Sequence, residues 1–227
     1  MSNVNYMDIL LLGNAGWHIY LALAEGWRRS FFAVCRDIVA LALALLLRAP
    51  LSVGVTRSPW FPRFAATMDI HIALPAGGGL TFSGALQWLE EVQLPRAIAR
   101  AIAGVWQRDS GSDVSILLGS ARHILAEAMV NLVFLLALFV GLRALINVAS
   151  KAVVWALPKE TAGDNVALKL ALGMTQSTLV GLLLLAALLP LSGLAAMPRG
   201  LFEQLGNSRL VFLLNYILHH INFYGLL

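Results

Sequence analysis

Polar and ionisable side chains inside long apolar stretches are the residues of this chain that could do chemistry. The candidates are Asn14, His18, Asp37, Glu127 and Asn131, with Gln176 as a further polar residue in the last apolar stretch. An ionisable group inside a bilayer is costly and is by default a candidate for function. Asn14 and His18 are four residues apart and share a helical face with Glu25. Simple hydrogen bonds to a neighbouring helix are the structural alternative for this face, and we favour it.

Glu127 and Asn131 form a second pair with helical spacing. They are also four residues apart, so their side chains are neighbours on a helix. The pair could face Asp37 or the polar face of the first apolar stretch. The alternative for Glu127, which we favour, is an ordinary acid at the membrane interface.

Motifs for catalysis are missing from the sequence, which contains no His-Glu-x-x-His, no Gly-x-Ser-x-Gly and no P-loop. Asp69 with His71, and His219 with His220, each supply only two possible ligands, and two ligands do not make a metal site. Cys35 is the only cysteine, so no disulfide can form within the chain. We therefore expect a protein that is not an enzyme and has no cofactor-binding or metal-binding residues.

Composition indicates a membrane protein. Of the 227 residues, 59% are hydrophobic and 12% are charged, and the mean hydropathy is +0.78. These charges are too few to cover a soluble globule of this size. The net charge is +4, but the basic residues are dispersed rather than clustered with aromatic residues, which argues against a nucleic-acid partner. Attraction to anionic lipid headgroups is the simpler account.

Hydropathy predicts the fold class: an all-α integral membrane protein with about four transmembrane helices plus interfacial amphipathic helices. Leu170–Leu189 is the clearest span, because a helix of about 20 apolar residues rises roughly 30 Å, the thickness of the hydrocarbon core. The whole chain, 1–227, is predicted to be a single membrane domain. Its predicted elements are spans at about 6–24, 31–47, 126–146 and 170–190, a long extramembrane connection at 48–112 and a C-terminal amphipathic helix at 208–222.

Small side chains mark the faces through which two spans should pack. In the fourth span Gly173, Ser177 and Gly181 recur every fourth residue, which would let another helix approach closely, although an apolar span also contains such spacings by chance. The second span has a similar face, formed by Ala33, Asp37, Ala40 and Ala44. Asp37 must find a partner on this face or stay near water, whereas Arg36 can snorkel to the headgroups.

The long connection is predicted to contain short helices rather than a span. Pro50 and the Pro and Gly residues after it should break any long element. Apolar periodicity at 82–92 and again at 94–105 predicts two amphipathic helices lying in the membrane interface. Trp88 and Trp106 would then lie at headgroup level.

Two more helices are predicted after this connection. Helical periodicity continues from Val114 to Pro158, which predicts one very long helix whose span ends near Arg143. Asn207 and Ser208 can cap a terminal helix that lies on the membrane or docks on a partner. Its apolar stripe would consist of Leu210, Leu213, Leu214, Ile217, Leu218 and Ile221.

The order of these elements resembles that of the colicin V production protein family over nearly the whole chain. The resemblance depends on an Asp before the first span, a basic aromatic turn before the second, a third span reading LAEAMVNLVFLLALFVGLRALI and a late Asn-Ser before the last helix. The residues that match the family pattern are Asp8, Gly26, Arg29, Phe31 and Ser208.

The resemblance implies a four-pass protein of the bacterial inner membrane, linked to toxin production or export and to envelope homeostasis. A scaffold or adaptor is the function that we expect, and a small transporter or channel subunit is the alternative. The expected partners are membrane lipids and either other membrane proteins or further copies of the chain. Basic residues flank the turns at 25–36 and 147–169, so these turns should be cytoplasmic.

Overall fold

The computed structural model describes residues 5–67, 89, 94–108, 114–156, 165–193, 199–218 and 223–224. These residues form helices and short irregular links, and none of the described residues belongs to a strand. The predicted all-α fold class is confirmed. The predictions made for Asp69, His71, Trp88, His219 and His220, and most of the pattern at 82–92, fall outside the described residues.

Eight α-helices lie in the described part of the chain. In order, they are α1 (Tyr6–Glu25), α2 (Trp27–Thr56), α3 (Phe61–Thr67), α4 (Arg96–Arg108), α5 (Val114–Ala156), α6 (Val166–Leu188), α7 (Arg199–Asn207) and α8 (Arg209–Leu218), with a 3-10 turn, Leu189–Gly193, after α6. Four of them, α1, α2, α5 and α6, are long and apolar enough to cross a membrane. This number matches the four spans predicted from hydropathy.

The second helix is longer at both ends than its predicted span at 31–47. A single residue, Gly26, separates α1 from α2, and its φ of 90° favours glycine because a side chain would be strained there. The prediction that Pro50 interrupts the helix is wrong, since α2 continues through it to Thr56. Arg48 and Ser52, on either side of Pro50, are buried. We attribute the continuity to this tertiary packing, which outweighs the proline's cost of about 3 kcal/mol.

The first part of α5 and the helices α3 and α4 form a compact layer. Phe61 of α3 packs edge-on against His123 of α5, with the ring centroids 5.0 Å apart. The largest side chains that are fully buried in this layer are Phe61, Ile98, Ile102, Trp106 and Leu125. Trp106 faces protein rather than headgroups, because its ring is enclosed and its Nε1 donates to the Leu117 carbonyl at 2.8 Å. The contact with α5 shields this face of α4 from the interface.

The C-terminal helices dock on the bundle. As predicted, Ser208 caps the last helix: the backbone N–H of Val211 donates to the Ser208 hydroxyl at 3.0 Å. The predicted stripe of α8 is partly wrong, because Val211 and Leu218 are buried whereas Leu213 is 58% exposed. Contact of Leu214 with Gly181 of α6 sets the rotation of α8, and a periodicity within one helix does not contain that information.

Helix pairing places the connections at opposite ends of the bundle. Antiparallel packing joins α1 to α6 and α2 to α5. Gly26, the end of α5 and the start of α6 therefore lie at one end, which we call the short-link end. The start of α1 and the helices α3, α4, α7 and α8 lie towards the other end.

Candidate functional site

A buried carboxylate joins three of the four long helices. Asp37 of α2 is 0% exposed. Its Oδ1 accepts from the Arg36 Nε at 2.9 Å and lies 3.0 Å from the Nε of Arg143 on α5. Its Oδ2 accepts from the Nε2 of Gln176 on α6 at 3.1 Å. We call these four residues the Asp37 cluster. Two guanidinium groups face one carboxylate, so these four residues together have a net positive charge.

The small residues of α2 allow this meeting of helices. Ala40 and Ala44 are fully buried on the same face as Asp37, so neighbouring helices can approach that face. The Arg36 side chain has polar partners within the bundle: its Nε donates to Asp37 and its Nη1 donates to the Asn147 Oδ1 at 3.0 Å. A buried carboxylate is costly without a countercharge, which accounts for the contact with Asp37.

The polar face of α1 packs against α6 beside the cluster. The Asn14 Nδ2 donates to both the backbone oxygen and the hydroxyl of Ser177, each at 3.0 Å. His18 is 8% exposed, and its Nδ1 has no hydrogen-bond partner among the described residues. The Gln176 side chain, which bonds to Asp37, lies one turn along α6 from Gly173, where the α1 and α6 backbones meet at His18 and Ile19.

The helix-packing residues predicted on α6 lie at these contacts. A Cβ added to Gly173 would be 2.8 Å from the Ile19 Cα, so only a glycine permits the observed approach of the α1 backbone. At Gly181 an added Cβ would instead meet the Leu214 side chain at 3.2 Å. Gly173, Ser177 and Gly181 therefore lie on the surface of α6 that α1 and α8 cover.

Other predicted polar residues lie away from the cluster. Glu25 is exposed at the end of α1. Asn131 is buried on α5, but it precedes Arg143 by twelve residues, about 18 Å along the helix. Glu127 is half-buried one further turn away. Of the two interpretations of Glu127 and Asn131, the one in which they face Asp37 does not hold, because the register of α5 against α2 brings Arg143 there instead.

Sequence reasoning missed Arg143 and Asn147 as members of the polar contact. Both follow the charge-free part of the third span, where a basic residue suggests the end of a span. Their four-residue spacing was the available signal, since it places them on one face of α5. Nothing in that spacing pointed to Asp37.

A second polar contact joins the two ends of the chain. The Ser208 hydroxyl donates to the Asp8 Oδ1 at 2.6 Å, and the backbone N–H of Leu210 donates to the same oxygen at 3.3 Å. Two residues of the family pattern, Asp8 and Ser208, thus contact each other across 200 positions. The other three lie near the start of α2: Gly26 is the break, Arg29 is half-buried and Phe31 is exposed.

The residues near the C-terminus are also held by the bundle. The Arg48 Nη1 of α2 donates to the Phe223 carbonyl, and the Tyr224 hydroxyl donates to the Ala186 carbonyl at 3.1 Å. Burial raises the pKa of the Tyr224 phenol, because the charged phenolate loses its water. The neutral hydroxyl is therefore maintained as a donor across the ordinary pH range.

The fold and the Asp37 cluster define the class: a polytopic helical membrane protein with a buried charge cluster between its long helices. No protein-family model, no curated protein and no solved structure matches the chain. Within the described ranges, no group of three or more His, Cys, Asp or Glu residues could hold a metal ion.

Proposed function

We propose that the chain is a non-enzymatic membrane scaffold or adaptor. The observation that carries this proposal is that both carboxylate oxygens of Asp37 are bonded and the side chain has no exposed surface. A charge enclosed in this way fixes neighbouring helices in one arrangement. A defined arrangement of helices is what an adaptor needs in order to present a constant surface to a partner.

The proposed setting is the bacterial inner membrane, in support of toxin production or export and of envelope homeostasis. The resemblance to colicin V production proteins motivates this part. The contact between Asp8 and Ser208 supports it, because it gives two residues of that pattern a shared structural role. Other membrane proteins or further copies of the chain are the proposed partners, in addition to membrane lipids.

We further propose that the short-link end faces the cytoplasm. The described parts of the turns predicted to be cytoplasmic, 25–36 and 147–169, lie at or near this end. The basic residues on the described parts of these two turns are Arg28, Arg29, Arg36, Lys151 and Lys169. An excess of Lys and Arg on short loops favours their retention on the cytoplasmic side.

A small transporter or channel subunit is the second candidate. Gln176 bonds to Asp37, and Asn14 and His18 lie on the face of α1 that packs against α6, so these four polar residues between long helices are the kind of group that could line an ion path. The specific observation in its favour is the buried Nδ1 of His18, which has no hydrogen-bond partner among the residues that the structure describes.

Crosslinking in native membranes, combined with flux in vesicles, tests the two candidates together. The wild type, Asp37→Asn and the exposed control Glu25→Gln would each be crosslinked, and the captured proteins identified. A reproducible foreign partner and no ion flux support the scaffold. Capture of only further copies of the chain, together with a flux that Asp37→Asn abolishes and Glu25→Gln preserves, would replace the scaffold by the transporter.

A further inference from the structure

Two neighbouring pockets lie where α1 begins, beside α7. The first, of about 280 Å³, has an almost wholly apolar surface and is lined by Tyr6, Met7, Gly200 and Gln204. The second, of about 290 Å³, is lined by Asn5, Glu203, Gln204 and Asn207. Because Gln204 borders both, the two pockets are adjacent, one apolar and one polar, and we call them together the Gln204 site.

Hydrogen bonds fix the walls of the Gln204 site. The Asn5 Nδ2 donates to the Gln204 carbonyl at 2.8 Å, and the Tyr6 N–H donates to the Gln204 Oε1 at 2.9 Å. The Asn5 Oδ1 in turn accepts from the Met7 N–H at 2.9 Å. The start of α1 and the middle of α7 are therefore held at a constant separation, so the site is formed before any ligand arrives.

The order of polarity along α1 matches that of a membrane interface. Asn5 lines the polar pocket, whereas the next two residues, Tyr6 and Met7, begin the first span and line the apolar pocket. Tyr6 is 71% exposed, and an exposed tyrosine at the end of a span is typical of headgroup level. The polar pocket thus lies at headgroup depth and the apolar pocket on the acyl-chain side.

The charge of the residues that line the polar pocket determines which lipid headgroup it favours. The described lining of the polar pocket consists of the Glu203 carboxylate and three side-chain amides, with no cationic side chain among them. Such a lining attracts a cation and repels an anionic group that enters it. Carboxylate and amide oxygens accept hydrogen bonds, which a primary ammonium can donate and a trimethylammonium cannot.

We infer that the Gln204 site binds a phospholipid with a primary-amine headgroup, with its ammonium at Glu203 and the upper part of an acyl chain in the apolar pocket. The inference does not depend on the proposed function, because it concerns a surface far from the Asp37 cluster. Phosphatidylethanolamine is the simplest lipid with this chemistry.

Native mass spectrometry of the full chain in detergent tests the inference. Phosphatidylethanolamine, phosphatidylcholine and phosphatidylglycerol with identical acyl chains would be added at equal concentration. We expect the ethanolamine lipid to be retained about fivefold more than the other two, the ratio that a contact of roughly 1 kcal/mol provides. That contact is the ammonium's hydrogen bond to Glu203, which the choline headgroup cannot donate, and its ion pair with Glu203, which the glycerol headgroup lacks.

Three variants make the test specific. Glu203→Gln should remove the preference, whereas Glu25→Gln, at the short-link end, should preserve it; both glutamates are exposed, so neither change threatens folding. Gly200→Leu should lower retention of all three lipids, because a Cβ there meets no atom within 4 Å and the new side chain can occupy the apolar pocket. Equal retention of the three lipids by the wild type, or a preference that survives Glu203→Gln, would overturn the inference.

Discussion

Burying the Asp37 carboxylate costs free energy, and only contacts with neighbouring side chains offset that cost. Removing a carboxylate from water costs several kcal/mol, and the contacts with Arg36, Arg143 and Gln176 compensate for it on both oxygens. These three partners come from α2, α5 and α6, so the full set forms only when the helices are assembled. We therefore expect the charge to select one arrangement of helices rather than simply to increase their association.

Replacing Asp37 should lower the free energy of unfolding much more than replacing its partner Arg143. Asp37→Ala leaves two guanidinium groups without their carboxylate, and we expect a loss of about 3 kcal/mol in the free energy of unfolding. Arg143→Ala should cost only about 1 kcal/mol, because its side chain is 35% exposed and water screens the pair. Loss of helical circular dichroism during titration with SDS in mixed micelles would measure both values.

The control for this prediction is Glu25→Ala, which removes an exposed carboxylate from the end of α1. We expect it to change the free energy of unfolding by less than about 0.5 kcal/mol. If Asp37→Ala and Glu25→Ala unfold at the same SDS fraction, Asp37 does not stabilise the bundle.

At the scale of elements, the crossing of α1 and α6 is the tightest contact between two spans that the glycine positions reveal. At Gly173 the obstacle to a side chain is backbone, because the Ile19 Cα and N and the His18 carbonyl are its nearest neighbours. Backbone atoms cannot move aside as a flexible side chain can. The separation of these two helices therefore depends on the absence of one Cβ atom.

Three glycine substitutions should give three different results. Gly173→Ala should destabilise the bundle by about 2 kcal/mol, because α1 must move away. Gly181→Ala should have a small effect, since the flexible Leu214 side chain can adjust. Gly141→Ala meets no atom within 4 Å on α5 and should be neutral or stabilising by up to about 1 kcal/mol, the helix propensity of alanine over glycine.

The same SDS titration would measure all three glycine variants. Equal unfolding of Gly173→Ala and Gly141→Ala would show that α1 and α6 do not approach as closely as the structure has them. Each variant adds a single methyl group, so the three differ only in the atoms that this methyl group meets.

The presence of the long helices could be predicted from the sequence, whereas the register of one helix against another could not. Long apolar runs gave the four spans, and the uninterrupted periodicity after Val114 gave α5. Asp37 was recognised as needing a partner, but Arg143 was not, because periodicity identifies a face and not the height at which two helices meet. Pro50 and Trp106 were misjudged for a related reason: tertiary packing on α2 and α4 overrides local preference.

At the scale of the whole molecule, the two ends of the bundle are unlike. The short-link end has the single-residue break at Gly26, the end of α5 and the start of α6. The other end has α3, α4, α7 and α8, the Asp8–Ser208 contact and the residues held near the C-terminus. Any partner that binds outside the spans thus meets two very different surfaces.

Thiol labelling in intact cells should distinguish these ends. In a Cys35→Ser background, Asn207→Cys should react with a membrane-impermeant maleimide added outside, and Glu25→Cys should react only after permeabilisation. Both positions are exposed, so access depends on the side of the membrane and not on burial. The reverse pattern would show that the short-link end faces outwards.

The length of α5 has a mechanical consequence. Its 43 residues contain no proline and extend about 64 Å, roughly twice the hydrocarbon thickness. One continuous rod therefore joins the layer around Phe61 to the polar contact at Arg143. A rigid tilt of about 5° would displace one end of α5 relative to the other by roughly 5 Å, so a shift of the layer around Phe61 would be felt at Arg143.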